Sequence, residues 1–225
     1  KIKQKLNGFN SIFAVSSITA AKLYYTEFKK QLTERFDKDI KIATIYSYAP
    51  NEDIDENGFM NDENSDDTEG LDQSSRDFLE KAIVDYNAYF NTAYDTSAEK
   101  FPNYYKDLSL RMKNKEIDIL IVINMFLTGF DATTLNTLWV DKNLKMHGLI
   151  QAYSRTNRIL NSVKTYGNIV CFRNLQKETD EAIALFGDKE ACGMVLLKSY
   201  NEYFDEYKRC IEKLNQKYPL EKQII

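Results

Sequence analysis

The run Ile117-Asp118-Ile119-Leu120-Ile121-Val122-Ile123 limits the possible folds of this chain more than any other stretch. It is nearly continuous in branched apolar residues, whereas a strand with one wet face alternates apolar and polar positions. Both faces of such a strand must be covered, and the usual cover is a layer of helices on each side of a parallel sheet. Asn10 to Ser16, Lys41 to Tyr48, Leu135 to Val140 and Gly167 to Phe172 also read as strands. Helical spacing of apolar residues predicts helices over Ile18 to Phe36, Ser74 to Tyr94, Pro102 to about Lys115, His147 to Ile159 and Gln176 to Phe186. Asp188 to Tyr218 reads as one long helix or two. Strands alternating with helices predict an α/β fold, a parallel sheet flanked by helices, followed by a C-terminal helical extension.

With 225 residues, 43% of them hydrophobic, the chain can build one sizeable core. No apolar stretch approaches the roughly 18 residues needed to span a bilayer, and the start Lys1-Ile2-Lys3-Gln4-Lys5 has no apolar signal core behind it. A cytoplasmic protein with no membrane partner is expected. The three cysteines lack C-x-x-C spacing, and Cys171, in the apolar run Ile169 to Phe172, is expected to be a buried small hydrophobe. The single His147 has no companion ligand and reads as structural, so no metal site is expected.

The formal charge of −4 hides an asymmetry: Asn51 to Asp72 holds ten carboxylates and no Lys or Arg. Outside that loop 24 acidic residues face 30 basic ones, a mildly basic body compatible with nucleic acid. The acidic stretch predicts a solvated excursion. Within it, Asp53-x-Asp55-x-Asn57-Gly58 matches half a calcium loop, but Asn64 stands where the bidentate glutamate is needed.

Two motifs carry chemistry. Met125-Phe126-Leu127-Thr128-Gly129-Phe130-Asp131 follows the strong strand and is expected to present amides, a hydroxyl and a carboxylate at the carboxyl edge of the sheet. Taken alone, Gly129 and Asp131 make an ordinary turn. Gln151-Ala152-Tyr153-Ser154-Arg155-Thr156-Asn157-Arg158, continued as helix, brings Gln151, Arg155 and Arg158 within roughly 60° of one another on one face. Two guanidinium forks on that face suit phosphate.

The order of these motifs, after a strand ending Val15-Ser16-Ser17, resembles motifs IV, V and VI of superfamily 2 helicases. The match is closer to the motor (R) subunit of type I restriction-modification enzymes. It rests on Met125, Leu127, Thr128, Gly129, Phe130, Asp131, Leu135, Leu138, Asp141 and Lys142, then Gln151, Ala152, Ser154, Arg155, Thr156, Asn157 and Arg158. The resemblance implies a second RecA-like domain over residues 1–175, with an acidic insertion about 50–73 and a helical insertion about 74–115, then a helical extension over 176–225. It implies a bacterial or archaeal subunit that translocates double-stranded DNA with ATP and Mg²⁺ before cleavage, together with methyltransferase and specificity subunits.

In that family pattern Arg158 takes the place of an arginine finger, Arg155 makes a second phosphate contact or holds the finger in place, and Gln151 hydrogen-bonds nearby. Gly129 and Asp131 would face the ribose or couple the nucleotide cleft to the DNA track. Ser16, Ser17 and Thr128 would touch the DNA backbone. None of the eight glycines is followed by Lys, and no Asp-Glu-x-His is present. The phosphate loop, the Mg²⁺ site and the nuclease are therefore expected on other parts of the polypeptide, with the first RecA-like domain as partner and no ATPase or nuclease activity from this chain alone. The alternatives are the second motor domain of another superfamily 2 translocase, or a non-enzymatic α/β module binding partners through Asp188 to Tyr218.

Overall fold

The computed structural model describes residues 9–35, 40–47, 71–160, 164–186 and 200–217. The acidic loop up to residue 70, with the half calcium motif, and Cys192 lie outside the described residues. The elements run β1 (Asn10–Val15), α1 (Ile18–Arg35), β2 (Ile42–Ile45), α2 (Gln73–Phe90), α3 (Phe101–Lys113), β3 (Ile119–Val122), β4 (Leu135–Asp141), α4 (Met146–Tyr153), β5 (Asn168–Cys171), α5 (Gln176–Phe186) and α6 (Tyr200–Lys217). One sheet takes the order β2-β3-β1-β4-β5, and every neighbouring pair is parallel. This is the α/β arrangement expected of a RecA-like domain.

The apolar run at 117–123 supplies β3, which sits inside the sheet between β2 and β1. Every residue of β1 and β2 is buried, and so are three of the four in β3. Helices cap this sheet for local reasons. Asp72 accepts the Ser75 N–H at 3.0 Å to start α2, Asn91 ends α2 in a left-handed conformation, and Pro102 sits in the first turn of α3. Their apolar stripes, including Leu79, Ile83, Tyr86, Phe101, Tyr104 and Leu108, join one continuous core with the strands.

Tyrosines at this interface each find an acceptor. Tyr46 donates to Ser75 O at 2.8 Å, Tyr104 to Thr44 O at 2.9 Å, Tyr86 to Asp107 at 2.7 Å and Tyr25 to Asp85 at 2.9 Å. A buried phenol that kept no partner would forfeit the hydrogen bond it makes with water.

As the sequence pattern implies, one crossover lacks a helix, whereas one cysteine departs from expectation. The connection from β3 to β4 has no α-helix, only turns from residue 123 to residue 134. Cys171 is exposed, on β5 at the edge of the sheet. After β5, α5 packs against α4 and places Ala182 in the core. No described helix is long and apolar enough to cross a membrane.

Candidate functional site

The expected helix over His147 to Ile159 is shorter than its pattern. α4 stops at Tyr153, a 3₁₀ turn covers Ser154–Thr156, and Asn157 to Ile159 are irregular. Side chains end it. The Ser154 hydroxyl and Arg155 Nε both donate to Gln151 O, at 2.8 and 2.9 Å, and the Thr156 hydroxyl donates to Tyr153 O at 3.2 Å. These carbonyls would otherwise wait for amides four residues on, so local side-chain donors replace the helical ladder. Gln151, Arg155 and Arg158 therefore do not share one helix face, and the loss of helix sets the two arginines free to take different partners.

Arg155 turns inward. Its Nη1 donates to Phe130 O at 2.6 Å while Nε holds Gln151 O, so one guanidinium joins the end of α4 to the Thr128 to Asp131 loop. Arg158 stays at the surface and pairs with Asp131, Nε to Oδ1 at 3.0 Å. Gln151 enters this arrangement through its carbonyl.

The loop is a tight device. Phe130 N donates to Thr128 O at 2.7 Å around Gly129, whose φ of 64° completes a three-residue γ-turn. A glycine meets that conformation without the penalty an L side chain incurs. Phe130 anchors the turn, with its ring 4.8 Å from Phe126, which lies 5.0 Å from Tyr105. Asp131 is left exposed beside the buried anchor.

Phe130, Asp131, Ser154, Arg155, Asn157 and Arg158 line a cleft of about 260 Å³. Burial first, and the Arg158 charge second, lower the pKa of Arg155, while Asp131 pulls it the other way. Two guanidinium groups thus share one carboxylate, and the cleft carries an excess of positive charge that an anion would relieve. Three predicted residues, Asp131, Arg155 and Arg158, meet here, and Gly129 adjoins them. The volume suits a phosphate group or part of a nucleotide, less than a site that encloses a whole ligand.

The cleft is not at the carboxyl edge of the sheet. β3 and β4 are parallel, so their connection must travel back from the end of one to the start of the other. Phe130 lies on that return, 5.8 Å beneath the ammonium of Lys113, where α3 ends ahead of β3. Asp131 follows, four residues before β4 begins. Ser16 and Ser17 stand at the other end of the strands, directly after β1. Ser17 Oγ accepts the Ala20 N–H at 3.2 Å and caps α1, a structural duty that leaves its own O–H as a donor. The structure separates the serines from the arginines, and Thr128 lies between, outside the cleft lining.

At the serine end, Asp141 accepts from Tyr24 at 2.9 Å and from Arg173 Nε at 3.0 Å, and Lys142 Nζ donates to Ile123 O at 2.9 Å. A larger cavity of about 540 Å³ borders β5 and α5 and shares no lining residue with the arginine cleft. Size does not make it the anion site: its lining holds a single arginine, Arg173, which is paired with Asp141 at 3.0 Å. Among the described residues no group of His, Cys, Asp and Glu is arranged to hold a metal ion. Lys164 and Gly167, which the motif pattern does not include, both bear on the Arg158 loop; only their contacts reveal them.

The family model for domain 3 of the type I restriction enzyme subunit R (T1R_D3-like) matches residues 7–174. The type I restriction enzyme SauCOLORF180P endonuclease subunit of Staphylococcus aureus (strain COL) is 42% identical over 214 residues, 94% of this chain and 22% of that protein. The SsaAORF53P endonuclease subunit of Staphylococcus saprophyticus is 43% identical over 208 residues, 92% of this chain and 21% of that protein. A solved S. cerevisiae structure bound to RNA and ADP BeF3 superposes with a TM-score of 0.34 at 12% identity, covering 80% of this chain and 40% of that one, too loosely to add to the fold described above. The chain spans about a fifth of the length of the curated relatives it matches. It belongs to the family of type I restriction enzyme R subunits, in the region of their domain 3.

Proposed function

We propose that this chain is the second motor domain of an ATP-dependent DNA translocase within a type I restriction enzyme, and that its arginine cleft is one half of a nucleotide site. The observation that carries the reading is the convergence of Arg155, Arg158 and Asp131 on one cleft with surplus positive charge. Arg158 is the exposed member and serves as the arginine finger. Its guanidinium neutralises charge growing on the γ-phosphate, an effect worth about 10³ to 10⁵ in rate in other nucleotide hydrolases. Arg155 is the bolt that sets the distance between the finger segment and the loop, and Asp131 takes a ribose hydroxyl once Arg158 has swung away. ATP and Mg²⁺ are held mainly by the first motor domain.

The serine end of the sheet is the proposed DNA track. Ser16, Ser17 and Thr128 offer short hydroxyls and amides, which contact phosphates without reading sequence. With the serine contacts and the nucleotide contacts at opposite ends of the strands and Thr128 between them, opening and closing of the interdomain cleft moves the DNA grip. Methyltransferase and specificity subunits are the proposed partners in the complex that cleaves DNA. Measuring ATP hydrolysis by this chain alone and joined to the first motor domain tests the division of labour. Hydrolysis only in the joined protein is expected, and robust hydrolysis by this chain alone would overturn it.

A further inference from the structure

Lys164 is 2% exposed, an unusual position for an ammonium group. Its Nζ donates to the backbone carbonyls of Thr156, at 2.7 Å, and of Arg158, at 2.5 Å. No carboxylate among the described residues forms an ion pair with it. Its own backbone closes a two-way antiparallel bridge with Leu160, N to O at 3.2 Å and 2.9 Å. A second residue converges on the same carbonyl: a Cβ on Gly167 would lie 2.3 Å from Thr156 O.

Burying an unpaired cation is costly, and an apolar side chain of similar length would fill this space without that penalty. What the ammonium adds is direction. Two carbonyls, one of them belonging to Arg158 itself, must point at a single donor, which fixes the peptide from which the exposed guanidinium projects. The 3₁₀ turn has already ended at Thr156, so no helix holds that peptide in place.

We propose that Lys164 is a positioning residue for Arg158, its buried ammonium orienting the finger segment towards the nucleotide. This inference rests on the reading of Arg158 as the arginine finger. It requires that Lys164 act only through Arg158, with no phosphate contact of its own.

The test uses the full-length R subunit with Lys164→Met, Arg158→Ala and the double variant, and measures binding of ADP and of the ADP–aluminium fluoride complex, which imitates the transferring phosphoryl group. Lys164→Met should weaken the fluoride complex by about 10- to 100-fold, the range in which a misplaced group loses its effect, and change ADP affinity by less than about twofold. In the Arg158→Ala background it should add nothing further. Should Lys164→Met fail to fold, Lys164→Gln, which keeps an amide donor, is measured in the same way. Equal weakening of ADP and the fluoride complex, or losses that multiply with those of Arg158→Ala, overturns this inference alone. An Arg158→Ala subunit that binds the fluoride complex like wild type overturns the finger reading and this inference with it.

Discussion

The Arg158 guanidinium and the Asp131 carboxylate meet at 3.0 Å with 59% and 55% of their side chains exposed. Water screens a pair this open, and such pairs are worth about 0 to 1 kcal/mol. Asp131 therefore aims Arg158 across the cleft without holding it, and a phosphate can take over the guanidinium at little cost. Asp131→Asn should shift the stability of the R subunit by less than about 1 kcal/mol, while raising the KM for ATP. Thermal unfolding and steady-state hydrolysis check the two halves. A large loss of stability with unchanged KM would make the pair a structural tie.

Arg155 behaves differently, because its fork spans Gln151 O and Phe130 O. Lysine offers a single point of attachment and cannot hold both carbonyls in that geometry. Arg155→Lys should cost about 1 to 3 kcal/mol, the penalty for a partly buried acceptor left without its donor, and should lower turnover as the loop drifts. Arg158→Lys should lower turnover with stability unchanged. Equal thermal midpoints for the two variants would contradict this division between bolt and finger.

Two glycines answer to different constraints. At Gly129 the added Cβ meets nothing within 4 Å, and only the φ of 64° penalises a side chain, by about 1 to 2 kcal/mol. At Gly167 the Cβ would press on the Thr156 backbone, and overpacking of this kind costs about 1 to 3 kcal/mol. The positive-φ γ-turn at Gly129 lies outside the left-handed helical well that asparagine tolerates, so Gly129→Asn should bring no relief over Gly129→Ala, and Gly167→Asn should be at least as damaging as Gly167→Ala. Thermal midpoints of the four variants decide the point.

Alkaline pH should destabilise the domain. Burial is the largest cause that raises the pKa of Tyr25, Tyr46, Tyr86, Tyr104 and Tyr153 above the usual tyrosine value. Below about pH 10 folded and unfolded chains both keep these protons. Above it the unfolded chain releases protons that the fold retains, so stability falls, by up to about 1.4 kcal/mol per pH unit for each tyrosine. Lys164, whose pKa burial lowers, works in the opposite direction and is outnumbered. The thermal midpoint should stay level to about pH 9.5 and then drop steeply; a level profile to pH 11 would contradict the burial of these phenols.

The fold was largely legible because burial and periodicity agree in this chain. The branched run gave β3, and Gln176 to Phe186 has the same limits in sequence and structure. Apolar periodicity misleads where side-chain hydrogen bonds or strand order decide. Apolar spacing continues past Tyr153, but hydroxyls and a guanidinium on the helix's own last turn capture its carbonyls. Cys171 looks buried by its neighbours, yet strand order leaves it at the edge. The motif residues were visible as residues, while their separation across the sheet followed only from the parallel return of β4. Lys164 gave no signal, since one lysine among many acquires meaning only from the carbonyls it meets.

The central claim is that Arg158 completes a nucleotide site contributed mainly by another domain. It is tested most directly by DNA-stimulated ATP hydrolysis in the full-length R subunit carrying Arg158→Ala, assembled with the proposed methyltransferase and specificity subunits. The account predicts a loss of about 10³-fold or more in turnover, with the unfolding midpoint unchanged. Wild-type turnover in that variant would contradict it.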